Sequence, residues 1–391
     1  MTNEIEFLKS QNIRPIKLPH REQYYEDLFN IEYSWTGRAD ILSFANTFIK
    51  EAEQELINSM TLFEMGYFDC AYYALRSAVE ISLTLVYLSD MPDDQREERL
   101  ADWKETRDFP MQGQMIKQLS QLKNVFADME KKMPKFFENA KGLSAKLNKF
   151  VHKQGFQHFY VVRNNPINKP KSQDIFINNY EYFLKESIGV VAIMRLAIDP
   201  FPILLMDEEI LCRCFDTLTE PYQEDFVQKY IGTDMVNAYK QTELYVQTYN
   251  YFIQKEKKTP AVFDVMKNQY IDSRKMDEIF KQLHLLRRDD IVSVLLVKAS
   301  EKIVKVYCDD GLWYWTNRKT NREKTSWSSQ DFQNFLNAEN KLNQPYDEAY
   351  ISVLIFNGNP YYIEHNELIS QEEVNNIYTF VGKELLELGC Q

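Results

Sequence analysis

The stretch Gly66–Leu88, GYFDCAYYALRSAVEISLTLVYL, limits the possible fold of this chain more than any other. Ala71, Leu75, Ala78, Ser82 and Leu85 recur every three or four residues, which stacks them on one face of an α-helix. All five are small or aliphatic, so a second helix can approach closely. Arg76 and Glu80 stand four apart on another face, where opposite charges meet across one turn. Upstream, Ile41, Phe44, Ala45, Phe48, Ala52 and Leu56 mark the apolar stripe of a helix expected from Asp40 to about Phe63. Gly66 separates the two, so together they read as an αα-hairpin.

The rest of the chain extends a helical bundle. Residues 1–36, interrupted by Pro15 and Pro19, are expected to be irregular, and 93–108 to form a short exposed helix with Trp103 as a packing anchor. Met111–Met129 and Pro134–His152 read as two further helices, the second basic. A loop over 154–172 then leads to a helix over Gln173–Ala197, so the bundle spans 37–204. Residues 205–290 keep a helical pattern, broken near Gly232 and at Pro260. At Ile291 the period changes. IVSVLLVKA, KIVKVYC and LWYWT read as strands, with Asp309-Asp310-Gly311 as a hairpin turn. YISVLIF, Asn357-Gly358 and PYYIEH form a second hairpin pattern, and Ser328–Asn340 and Glu372–Leu388 read as helices. The expectation is a mainly α protein with a helical middle region, a small α+β domain over 291–391, and a sheet confined to residues after 290.

Composition narrows the classes of function. With 24 Tyr and 25 Phe against 11 Gly and 13 Pro, the chain is unlike a linker or a disordered segment. No apolar run reaches the roughly 18 residues of a membrane span, and the first residues lack an apolar signal core, so a cytoplasmic protein without membrane contact is expected. The 5 cysteines are scattered, as reduced thiols are, and Cys212-x-Cys214 alone is too little for zinc. Glycine-rich phosphate loops, H-E-x-x-H, G-x-S-x-G and C-x-x-C are all missing, so neither metal nor cofactor is expected. The net charge of −12 speaks against a general nucleic-acid binder. Its distribution points the other way, because ten lysines and arginines face one acid, Glu138, between Lys131 and Ser172.

Within that segment KLNKFVH places Asn148 and His152 four apart on one helical face. A neutral imidazole can take the proton of a ribose 2′-hydroxyl and its protonated form can return one to the leaving oxygen. Cations must steady the phosphorane charge in such a reaction. Arg76, Lys146, Lys149 and Lys153 are candidates for that role. Asn148 could hold a phosphate oxygen or orient the ring, and Glu80 could orient Arg76. Lys141 and Arg163 extend the basic surface. The alternative is that His152 merely fills its helix end beside a structural Arg76–Glu80 pair. His20, His158, His284 and His365 lack any such constellation.

These residues carry a family resemblance. Gly66, Ala71, Tyr72, Leu75, Arg76 and Glu80, in G-x(4)-A-Y-x-x-L-R-x-x-x-E, followed by Leu147-Asn148-x-x-x-His152, resemble the HEPN superfamily (higher eukaryotes and prokaryotes nucleotide-binding). The resemblance implies a helical bundle that pairs as a homodimer, small residues Ala71, Ala74 and Ala78 permitting the approach. It also implies a metal-independent endoribonuclease of a toxin–antitoxin or antiviral defence system acting on RNA. The family pattern has Arg where this chain has Leu147, with Lys146 as the nearest cation. The alternative is a non-catalytic HEPN-like scaffold or regulator that dimerises and binds a nucleotide, RNA or a protein; the region after 205 carries no resemblance, and a protein partner at the C-terminal domain is an expectation of that alternative.

Overall fold

The computed structural model describes residues 15–159, 173–207, 210, 211, 214, 218–258, 260–309, 311–322 and 341–389, together with Glu4. Arg163 and the helix expected over Ser328–Asn340 lie outside the described residues. The protein is mainly helical with a C-terminal sheet. Two compact units divide the chain: Met1–Leu204 with Thr217–Thr248, and Leu205–Asp216 with Tyr249–Gln391.

The first unit contains α1 (Arg21–Glu32), α2 (Ala45–Glu64), α3 (Phe68–Asp90), α4 (Asp93–Lys104), α5 (Gln112–Leu122), α6 (Val125–Lys132), α7 (Pro134–Val151) and α8 (Gln173–Leu196). Among its described residues the one strand-like feature is an isolated bridge between Ser34 and Thr219. The expected hairpin is its centre. Helices α2 and α3 pack along their length, and Gly66, at φ 85°, takes the left-handed turn between them. Ala71, Leu75 and Ala78 are fully buried in this unit. The Ser59 hydroxyl donates to the Ala71 carbonyl at 2.9 Å, so Tyr180 must be the donor in its 2.8 Å contact with Ser59.

Residues 21–32 correct the expectation of an irregular N-terminus. Pro15 and Pro19 precede α1 rather than interrupt it, and Tyr24, Leu28 and Ile31 supply a helical stripe that is fully buried. The single helix expected over Met111–Met129 is two. Lys123 adopts φ 57°, and the Asp90 carboxylate accepts from the Val125 and Phe126 amides, capping a new start. Burial holds that carboxyl above its ordinary pKa in spite of these bonds. Arg96 closes the end of α3 by donating to the carbonyls of Leu88, Ser89 and Met91. Arg195, on α8, donates to Ser34 O and Trp35 O and pairs with Asp199 at 3.2 Å. The returning segment is a turn of helix at Glu224–Phe226, a π turn at Val227–Ile231 and α9 (Thr233–Tyr239). It meets α8 so closely that Gly189 has no room for a β-carbon against the Tyr230 carbonyl.

Helix α10 (Glu243–Lys258) carries the chain into the second unit, which holds α11 (Ala261–Asn268), β1 (Tyr270–Ile271), α12 (Met276–Phe280), α13 (Arg288–Ala299), β2 (Ile303–Cys308), β3 (Trp313–Thr316), β4 (Gln344–Tyr346), β5 (Ala349–Phe356), β6 (Asn359–His365) and α14 (Gln371–Glu387). Strand order is β1-β3-β2-β6-β5-β4. The two expected hairpins are present, the second turning at Asn357-Gly358 with φ 50° and 83°. Two corrections apply. The run IVSVLLVKA is helical, α13, because it is buried on every side and so shows no period. Its start is fixed by the Asp290 carboxylate accepting from the Arg287 amide at 2.9 Å. The sheet also reaches back before 290, since β1 pairs in parallel with β3. One sheet face packs on α13 and α14. Beyond it lies an ionic centre in which the wholly buried Arg322 and Glu364 meet at 2.9 Å. Burial works to raise the Glu364 pKa, but Lys305 and Arg322 outweigh it and hold the carboxyl below its usual range.

Candidate nucleic-acid interface

Helix α7 sorts its residues into two faces. Phe136, Ala140, Leu143, Leu147 and Phe150 are buried, while Lys141, Lys146 and Lys149 stand in solvent on the opposite face. Its C-terminal end is locked to the first turns of α3. Phe150 stacks on Tyr72 with ring centroids 4.2 Å apart, and Lys153 ion-pairs with Asp69 and lies 5.6 Å from the centroid of the Tyr73 ring. Tyr73 also walls an open cavity of about 490 Å³ between α2 and α3, shared with Glu55, Asn58, Cys70 and Ser77.

The candidate residues fare unequally. Leu147, where the family pattern has arginine, is fully buried and cannot meet a phosphate. Its neighbour Lys146 is exposed, donates to the Tyr182 hydroxyl at 3.0 Å and sits 5.0 Å over that ring. Arg76 is held by Glu80 through two bonds, Nε at 3.0 Å and Nη2 at 2.7 Å, as the four-residue spacing predicts. His152 is the exposed C-cap of α7. Asn148 is half-buried, and its Oδ1 is screened from solvent without a hydrogen-bond partner among the described residues. Among the described residues no hydrogen bond or ion pair joins Asn148 or His152 to Arg76 or Glu80. Lys141 and Lys149 form no ion pair there either, whereas Lys153 is committed to Asp69. Ala71, Ala74 and Ala78, the small residues that motivated a dimer, are buried inside the unit, so their surface is already used.

Several residues at this end were not singled out from the sequence. After α7 the chain turns at Gly155, φ 94°, into a 3-10 turn over Phe156–His158. The His158 ring packs edge-on against Phe150 at 5.0 Å. Burial lowers its pKa, and the neighbouring charges of Lys149 and Lys153 lower it further. Asp69, Tyr73 and Tyr182 are recruited across long sequence separations, which no local spacing reveals. Phe156 and Phe159, inside the basic segment, were visible as GFQHF, but their exposure was not.

No family model, curated protein or solved structure matches the chain. No helix of the described residues is long and apolar enough to cross a membrane.

Proposed function

We propose that the first unit is a HEPN-like module that binds RNA through the solvent face of α7, in a nucleic-acid-directed defence or toxin role. The observation that carries this reading is the charge on that face. Lys141, Lys146 and Lys149 are exposed and none is ion-paired among the described residues, in a chain whose net charge is −12. Unneutralised lysines along one helix suit a phosphate backbone, whose binding releases counterions in proportion to the contacts made. Two features favour binding without cleavage: Leu147 is buried, and Glu80 already occupies Arg76. Binding of a labelled RNA measured against salt concentration tests the reading. Lys146→Ala with Lys149→Ala removes two contacts and flattens the salt slope by roughly 1.4 for a single strand. An unchanged affinity and slope would refute it.

A second reading, metal-independent cleavage, is favoured by one observation: the exposed His152 imidazole at the end of the lysine-bearing face. General acid–base catalysis contributes about two to four orders of magnitude. Under this reading EDTA leaves RNA cleavage intact and His152→Ala removes it. Cleavage that survives His152→Ala would exclude this mechanism.

A further inference from the structure

The 3-10 turn after α7 places an aromatic side chain where folding gives no reason for one. Phe156 is 76% exposed, more than any other large hydrophobic side chain among the described residues. Phe159, three residues on, is 39% exposed and meets it edge-to-face with centroids 5.4 Å apart. An exposed phenylalanine on a loose loop would mean little, but this turn is fixed. Gln154 N donates to Lys149 O at 3.1 Å, His158 N to Gly155 O at 2.9 Å and Phe159 N to Phe156 O at 3.0 Å, while the His158 ring anchors the turn on Phe150. Two lysines lie just before the turn: Lys149, exposed and without an ion pair among the described residues, and Lys153, which is paired with Asp69. Aromatic faces framed by lysines are how proteins hold unpaired nucleotides: the cations follow the backbone and the rings stack on bases. A duplex presents no free base face, so such a pair distinguishes single strands from double strands.

We infer that Phe156, with Phe159, is a base-stacking platform that makes the α7 surface selective for unpaired RNA. This inference rests on the RNA-binding reading and adds the strand selectivity and the residues that confer it. The phosphate contacts of α7 supply affinity for either form, and the phenylalanines add to it only where a base is free.

The test measures binding of the full-length protein to a fluorescent single-stranded RNA and to the same RNA annealed to its complement. Phe156→Ala should weaken single-strand binding roughly five- to a hundredfold, as the loss of one stacked base does. It should leave duplex binding and the salt slope unchanged. Phe156→Trp should restore single-strand binding, and because the side chain is so exposed neither substitution should alter the thermal midpoint. Equal losses on both RNAs, or no loss on either, would overturn the platform while leaving RNA binding in place. Absence of binding by the natural protein to any RNA would remove the RNA reading itself, and the platform with it. Sedimentation with phosphatidylserine-containing vesicles, lost in Phe156→Ala, would reassign the turn to a membrane surface and refute the inference.

Discussion

Glu53 offers a sharp test of the energetics of the first unit. It lies on the buried stripe of α2, 6% exposed, and no hydrogen bond to its carboxylate is made among the described residues. Among the described residues one cation reaches it, Lys50 at 4.0 Å, which is also engaged by Glu32. Burial therefore prevails over Lys50 and pushes the carboxyl up from 4.5 to about 7. Each pKa unit corresponds to about 1.4 kcal/mol, so ionised Glu53 costs the fold up to about 3 kcal/mol. The folded protein holds this proton more tightly than the unfolded chain, so stability falls as pH rises from about 4.5 to about 7 and remains lower above that. Glu53→Gln removes the titration. The variant should exceed the natural protein in stability at pH 8 by about 1–3 kcal/mol, the range reflecting what the buried amide itself costs. For a unit of this size that is a rise in Tm of roughly 3–10 °C. Below about pH 4 the advantage should vanish, because Glu53 is then protonated in the folded and the unfolded states alike. Urea or thermal unfolding across this pH range reads the difference directly. A gap between the two proteins that stayed constant with pH would refute the burial argument.

Two other expectations concern single buried groups. Arg195→Met leaves Asp199 buried without its cation and frees the backbone carbonyls of Ser34, Trp35 and Asp199, and should lower stability by about 3–5 kcal/mol in chemical unfolding; a loss below about 1 kcal/mol would show that water replaces the guanidinium. In the second unit His365 donates from Nδ1 to Glu367 O at 2.8 Å, so its Nε2 accepts from the Ser352 hydroxyl. Burial, aided by Lys302 and opposed by Glu364, Glu373 and the Glu367 carbonyl, lowers its pKa. Stability should therefore be lost as pH falls below about 6.5, where the unfolded chain takes up the proton first, and His365→Gln should flatten that dependence; an equal acid sensitivity in both proteins would assign it to other groups.

Elements with an amphipathic period were legible from the sequence. The α2–α3 hairpin, α7, α8 and the β5–β6 hairpin all follow from apolar spacing and their turn glycines. Helix α13 was not, because a segment buried on all sides carries no period, and β-branched residues then read as strand. Helix α1 was hidden by prolines that lie outside it. At the candidate interface the Arg76–Glu80 pair and the basic face of α7 were legible, both being properties of one helix. The Lys153–Asp69 pair and the Lys146–Tyr182 contact were not, since they join residues 84 and 36 positions apart. Burial of Leu147 was foreshadowed by its place in the series Phe136, Ala140, Leu143 and Phe150.

The first unit is assembled from two separated pieces of chain, and this has a consequence during synthesis. Asn30 accepts from the Gln223 amide at 2.8 Å, Asp27 accepts from Lys229 at 2.6 Å, and the Leu196 carbonyl receives the Tyr239 hydroxyl at 2.9 Å. None of these partners exists when Leu204 leaves the ribosome. The stretch Leu205–Thr248 takes about 2–9 s to translate. For that interval the nascent chain carries an unfinished seam along α1 and α8, lined by buried-type polar groups still bonded to water. Any factor that handles the growing chain would meet the seam open, and a product ending near Leu204 would keep it so.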